Sequence, residues 1–214
     1  MTLAVFDLDG TLADSRLAIL EAQRRAFAAL GLPAPSPEAG LSIVGLSLPE
    51  AFVALAGPDG PTPELCAAYR AAAVAMRDEA AYAPRVFAGA DAALRRLKAQ
   101  GATLGVATGM ARRGVTHLFA QTGWEPLFAT VQTADGHPSK PAPDMTLAAM
   151  AETGAAPHET VMIGDSTYDM LMAKAAGARA LGVGWGFHTK DALLAAGAEA
   201  VVADFDELLH LIGA

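Results

Sequence analysis

The feature that most constrains this chain is a phrase repeated three times in its C-terminal part. A helical stretch ends in Gly-Ala, and a short apolar run follows. It occurs at Gly101-Ala102 before Leu104-Gly105-Val106-Ala107, at Gly177-Ala178 before Ala180-Leu181-Gly182-Val183, and at Gly197-Ala198 before Ala200-Val201-Val202. Glycine suits the position after a helix because the backbone there often turns left-handed, which a Cβ opposes. Apolar runs without alternation mark strands buried on both faces, as in parallel sheets. Helix and strand in alternation predict a doubly wound, Rossmann-like α/β fold. The strands are expected at 3–6, 103–107, 129–131, 161–164, 180–183 and 200–202.

Residues 15–83 break this rhythm and show no convincing strand. Leu17, Leu20, Phe27 and Leu30 recur at helical spacing, and Gly31 stops that helix. A Pro- and Gly-rich interval covers 33–45, and a short helix is expected at 49–56. The turn cluster Gly57-Pro58-Asp59-Gly60-Pro61 leads into a long Ala-rich helix over 63–82. The predicted organisation is an α/β core from 1–14 and 84–214, with an inserted helical domain at 15–83. The hinges are expected at Asp14-Ser15 and Ala83-Pro84.

Composition narrows the function. In 214 residues, 53% are apolar and 18% charged, so a packed core is affordable and disorder is not expected. The net charge of −8 is the wrong sign for nucleic acid, whose phosphate backbone needs clustered Lys and Arg. It does not exclude a small phosphorylated metabolite, because one ammonium and a bound cation reverse the field inside a pocket. The only cysteine, Cys66, permits neither an intrachain disulfide nor a Cys-based metal site, and reads as a small apolar residue on a helix. The opening apolar run is too short for a signal peptide and lacks a basic leader, and no stretch is long enough to span a membrane. A soluble cytoplasmic protein is expected.

In such a sheet, ligands bind beyond the carboxyl ends of the strands. Four stations there carry polar chemistry: Asp7-Leu8-Asp9-Gly10-Thr11-Leu12-Ala13-Asp14, Thr108-Gly109, Ser139-Lys140-Pro141 and Gly164-Asp165-Ser166-Thr167-Tyr168-Asp169. Asp7 and Asp9 stand two apart, so extended backbone points both the same way. Adjacent carboxylates repel unless a proton or a cation intervenes, and Asp165 adds to that repulsion. An oxygen-rich, nitrogen-poor cluster suits a hard cation such as Mg²⁺. Such a cation screens a carboxylate nucleophile approaching phosphate. Lys140 and the Thr108 hydroxyl are placed to hold the transferring oxygens, and Asp9 to exchange a proton with leaving group and water. Each piece alone has a plainer use. An Asp-x-Asp sits in turns, Thr-Gly is a turn, a lone Lys is a solvated charge, and Asp169 caps the next helix. Order and strand-end placement together favour the chemical reading.

The string from Phe6 to Ser15 resembles the first motif of haloacid dehalogenase superfamily phosphatases. Thr108 resembles their second motif, Lys140 within Ser139-Lys140-Pro141-Ala142-Pro143 the third, and Gly164-Asp165-Ser166-Thr167-Tyr168-Asp169 the fourth. The likeness covers the whole core, and the insertion lies where that family carries a helical cap. Within it the chain is similar to phosphoglycolate phosphatases, with support from Gly184-Trp185-Gly186-Phe187-His188. The resemblance implies Asp7 as nucleophile and Asp9 as general acid, then base. It implies Mg²⁺ on Asp7, the Asp9 carbonyl and Asp165, with Asp169 supporting that site. It also implies phosphate bound by Thr108, the Gly109 amide and Lys140. Met110 departs from the Lys or Asn common in the second motif.

Four rivals are weighed against this. A dehalogenase lacks the second Asp, because halide leaves without a proton. A sugar-phosphate mutase tends to carry a His in its first cap helix, and 15–83 contains none. A signalling receiver places its acceptor Asp later and has no such insertion. A catalytically silent binding protein would make the carboxylate pair dispensable. Met162, Met170 and Met172 read as core filler; His137, His188 and His210 as surface or packing residues; Arg24, Arg25, Arg70 and Arg77 mostly as solvated helix charges, with one of them able to reach a substrate carboxylate as the alternative. Gly182, Gly184 and Gly186 have the wrong spacing for a dinucleotide fingerprint. The turn Gly45-Leu46-Ser47 is the expected substrate-facing part of the cap, with a compact leaving group and 2-phosphoglycolate as the first compound to try.

Overall fold

The structure, a computed structural model, describes residues 2–83 and 85–212. In chain order the elements are β1 (Leu3–Phe6), β2 (Ala13–Asp14), α1 (Arg16–Ala29), α2 (Pro37–Ser42), α3 (Leu48–Ala56), α4 (Thr62–Ala75), β3 (Arg85–Val86), α5 (Ala90–Ala99), β4 (Thr103–Thr108), α6 (Arg112–Thr122), β5 (Phe128–Thr133), α7 (Asp144–Thr153), β6 (Thr160–Gly164), α8 (Thr167–Ala175), β7 (Arg179–Val183), α9 (Lys190–Ala196), β8 (Ala200–Val202) and α10 (Phe205–Ile212).

Six strands form one parallel sheet in the order β5-β4-β1-β6-β7-β8. All six predicted strands are present, the third lengthened to Phe128–Thr133. The chain winds outward from β1 through β4 to β5, then returns to β6 on the other side of β1. That reversal opens a crevice at the carboxyl ends of the central strands. Alternate residues of β1 feed opposite faces. Leu3 and Val5 pack with α7, α8 and α9, while Ala4 and Phe6 pack with α5, α6 and α10. Met162, Met170 and Met172 are fully buried in the first of these layers, as filler.

Helices α1 to α4 lie between β2 and β3. They have a small core of their own, in which Ala26, Phe27, Phe52, Leu65 and Cys66 are buried together. Burial pushes the Cys66 thiol up, in keeping with a packing role. Three expectations change here. The Pro- and Gly-rich interval contains a helix, α2, started by Ser36, whose hydroxyl accepts from the Ala39 amide, with Pro37 in its first turn. The long helix ends at Ala75 and continues as short 3-10 turns, which bring Glu79 within 2.9 Å of Arg25. Leu17 is 54% exposed, although it shares the spacing of the helix's apolar residues.

The two chain connections to this helical segment pair with each other. Ala13 faces Val86 and Asp14 faces Arg85 in an antiparallel ribbon, β2 with β3. Two residues a side are too few to show a strand period in sequence. The expected hinge at Asp14-Ser15 follows β2; its counterpart includes Pro84, which lies outside the described residues.

Candidate active site

The first station is a tight loop on the end of β1. The Leu8 carbonyl accepts from the amides of Thr11, Leu12 and Ala13, and the Gly10 amide donates to Ala13. Gly10 takes φ +80°, a left-handed conformation that costs glycine nothing. The loop leaves Asp7 buried and Asp9 half-buried, both on the wall of one large cavity.

The four stations do converge. Ligand oxygens of Asp7, Asp165 and Asp169 lie within 4.8 Å of one another, all three residues buried. The Lys140 ammonium, also fully buried, donates to Asp169 Oδ1 at 2.6 Å and stands 3.1 Å from Asp7 Oδ1. The Asp9 carboxylate lies outside that group of three. Burial, which opposes the charged form, raises Asp7; with Lys140 pulling it down and Asp169 and Asp9 adding to the rise, it stands at about 7. Asp165 is raised well above the usual carboxylate range by burial and then by Asp169 and Asp7. Asp9 is raised by burial, against the Ser15 hydroxyl and Lys140. Burial lowers Lys140, but Asp169 and Asp7 more than offset this and hold its ammonium charged. One cation therefore faces three buried carboxylates, and the electrostatic demand is for more positive charge.

Asp165 sits in a socket. Its Oδ1 accepts from the Thr11 hydroxyl at 3.0 Å and its Oδ2 from the Phe187 amide at 2.8 Å. Backbone passes so close that a Cβ on Gly186 would lie 2.1 Å from Asp165 Cβ, and one on Gly10 would lie 2.2 Å from Asp165 Oδ2. Asp169 makes the helix cap weighed from sequence and a second contact besides. Its Oδ2 accepts from the Ser166 amide and hydroxyl in a reciprocal cap of α8, while its Oδ1 takes Lys140. Asp7 Oδ1 is different, being buried and, among the described residues, without a well-aligned hydrogen-bond donor, although the ammonium stands 3.1 Å away. A set of three clustered carboxylates, one of them with such an atom, fits a hard divalent cation.

Thr108 is fully buried, its hydroxyl accepting from the Met110 amide at 3.1 Å. Gly109 lies directly under the helical segment, where a Cβ would come 2.6 Å from the Leu46 carbonyl oxygen. The Ser47 amide donates to Ser139 Oγ at 2.7 Å. The turn Gly45-Leu46-Ser47 thus rests on the second and third stations, and all three of its residues line the cavity.

Sequence reasoning passed over Thr11, Gly186 and Phe187 as holders of Asp165. It also took His188 for an isolated ring. His188 Nδ1 accepts from the Thr167 amide at 3.3 Å, so Nε2 carries the proton and donates to the Ser42 carbonyl at 3.2 Å. Tyr168 donates to the same carbonyl at 3.2 Å. The available signal was the density of glycines and aromatics in Gly184-Trp185-Gly186-Phe187-His188, a composition that marks close backbone approach. Among the described residues, no helix is long and apolar enough to cross a membrane.

Residues 4–183 match the family of haloacid dehalogenase-like hydrolases. A probable phosphatase, IndB of Dickeya dadantii, is 39% identical over 211 residues, covering 97% of this chain and 91% of that protein. A phosphoglycolate phosphatase of Chromobacterium violaceum is 32% identical over 214 residues, covering 97% and 94%. The crystal structure of a protein described as a predicted phosphatase from Clostridium acetobutylicum superposes with a TM-score of 0.88 at 26% identity, covering 99% of this chain and 97% of that one.

Proposed function

The chain belongs to the haloacid dehalogenase-like hydrolase family and is a phosphatase; we propose that it cleaves small phosphomonoesters through a phosphoaspartate on Asp7, with Mg²⁺ as cofactor. The observation that carries this reading is Asp7 itself. It lines the cavity, carries a buried oxygen without a well-aligned hydrogen-bond donor among the described residues, and has a buried ammonium 3.1 Å away. A carboxylate oxygen not committed as a hydrogen-bond acceptor is available as a nucleophile.

In the first half-reaction an Asp7 oxygen attacks phosphorus, and the bond from phosphorus to the leaving oxygen breaks. Asp9 gives that oxygen its proton. The Lys140 ammonium, the Thr108 hydroxyl and the Gly109 amide hold the non-bridging oxygens. In the second half-reaction water attacks phosphorus and gives its proton to Asp9. The acyl phosphate bond breaks, inorganic phosphate leaves and Asp7 is restored. Asp7, the Asp9 carbonyl and Asp165 would hold Mg²⁺, with Asp169 fixing Lys140 beside them. Bound there, Mg²⁺ supplies the positive charge that lets an anionic nucleophile approach an anionic phosphate.

Residues 15–83 act in this reading as a cap on a core of 1–14 and 84–214. The likeness to phosphoglycolate phosphatases makes 2-phosphoglycolate the reference substrate. The test uses an aryl phosphate with Mg²⁺ and then with excess chelator, and mass spectrometry of acid-quenched enzyme. Asp7→Asn should abolish turnover and the phosphoryl adduct together. Asp9→Asn should slow turnover by roughly 10²–10⁴-fold, the usual worth of general acid–base catalysis, and allow adduct to accumulate. Full activity without divalent metal, or an adduct persisting in Asp7→Asn, would contradict the reading.

A further inference from the structure

The helical segment is seated on the core, yet a large space remains beneath it. Three contacts mark the seating: Leu46 against Gly109, Ser47 on Ser139, and the Ser42 carbonyl held by Tyr168 and His188. With these made, the cavity still measures about 570 Å³. It runs from Asp7, Asp9 and Thr108 into the segment, and is continuous with the phosphoryl-transfer site proposed above.

The segment presents a largely apolar wall to this space. Leu17, Ile43, Leu55, Tyr69, Ala73 and Met76 all line it. Leu17, whose exposure contradicted the helix periodicity, is among the residues that line this cavity. Tyr69, on the segment, lines the same cavity as Asp7 and Asp9. Cavities of roughly 300–1,000 Å³ with mostly apolar walls are the ones that enclose drug-sized ligands. A leaving group of only two carbons, one of them a carboxylate, would fill a small part of this one. Most of the wall would stay wet, which forfeits the apolar burial that makes a cap selective.

We propose that the leaving group of the natural substrate is a bulky, largely apolar alcohol, substantially larger than glycolate, enclosed by this wall. The inference rests on the phosphatase reading and deepens it. The compact leaving group expected from sequence would occupy only part of this volume. Arg70 and Arg77, which also line the cavity from the segment, carry the rival expectation of a carboxylate-bearing leaving group.

The experiment compares phosphates of primary alcohols, whose leaving oxygens are of similar reactivity: ethyl, benzyl and naphthylmethyl phosphate, with 2-phosphoglycolate alongside. Calorimetry on the full chain measures binding of ethylphosphonate and naphthylmethylphosphonate, which cannot be hydrolysed. The naphthylmethyl ester should exceed ethyl phosphate and 2-phosphoglycolate in kcat/KM by about tenfold or more, the scale of discrimination by apolar pocket contacts. Its phosphonate should bind tighter by a similar factor. Ala73→Phe fills the space and Leu17→Asn wets the wall, and each should shrink these ratios; Leu17, already exposed, carries little risk to folding. If no ester turns over, the hydrolytic reading fails while the phosphonate pair still judges the cavity. Equal binding of the two phosphonates, or a kcat/KM for 2-phosphoglycolate above that of the naphthylmethyl ester, would overturn the inference.

Discussion

Lys140 Nζ lies 2.6 Å from Asp169 Oδ1, with both side chains wholly removed from water. Neither charge is affordable there alone, because desolvation of an unpaired ion costs several kcal/mol. The pair also sets the ammonium beside Asp7, and Asp169 is itself fixed by the cap it makes with Ser166. A helix N-terminus, a lysine and the proposed nucleophile are thereby mechanically joined.

Lys140→Met should therefore lower stability as well as activity. Breaking a buried pair from one side typically costs about 3–5 kcal/mol. The expected result is a lower Tm by calorimetry in chelator, with loss of aryl phosphate turnover. Adding Asp169→Leu should restore part of the Tm and none of the activity. An unchanged Tm in the single variant would show that the pair contributes nothing to stability.

Gly186→Ala tests the socket of Asp165. The new Cβ would stand 2.1 Å from Asp165 Cβ, an overlap that no side-chain rotation relieves. Asp165 or the Phe187 amide must shift, and misplacement of about 1 Å at a reacting site can cost about 10²-fold. The variant should fold, need more Mg²⁺ for half-maximal rate, and turn over more slowly at saturation. Wild-type Mg²⁺ dependence would remove Gly186 from any role in holding Asp165.

Mg²⁺ should stabilise the folded chain without substrate. Asp7, Asp165 and Asp169 come together only on folding, so an ion bound there favours the native state. At a hundredfold excess over Kd the gain is about 2.7 kcal/mol. The Tm should rise with MgCl2, fall back with chelator, and stay put with NaCl of matched ionic strength. Asp165→Asn should reduce the rise. A Tm that follows ionic strength alone would mean surface screening in place of a bound ion.

The Ser42 carbonyl, at the end of α2, takes hydrogen bonds from both Tyr168 and His188. It ties the helical segment to the loop that holds Asp165. Tyr168→Phe with His188→Ala leaves that carbonyl without either donor, each bond being worth about 0.5–1.5 kcal/mol. Amide exchange should speed up over residues 37–48 while the sheet stays protected. Unchanged exchange there would show that the segment's other contacts, among them Leu46, Ser47 and the packing of Phe187 on Ile19, Leu41 and Val44, suffice to seat it.

Much of this was legible without coordinates. Every strand of the sheet and the four polar stations could be read, because apolar runs, Gly-Ala helix ends and strand-end placement are properties of near neighbours in the chain. Periodicity misled at Leu17, since the sequence of a helix shows which face is apolar and not whether core or cavity lies against it. The α2 helix was obscured by prolines and glycines that its Ser36-Pro37 start in fact uses. Tertiary structure alone decided the rest. Thr11 meets Asp165 across 154 positions, and Ser42 meets His188 across 146. The carboxylate that stands apart, Asp9, and the volume under the helical segment are equally products of packing. No local pattern encodes such contacts, because whether two distant backbones approach to within a missing Cβ depends on how whole layers pack, and the chain's near-neighbour preferences are silent on that distance.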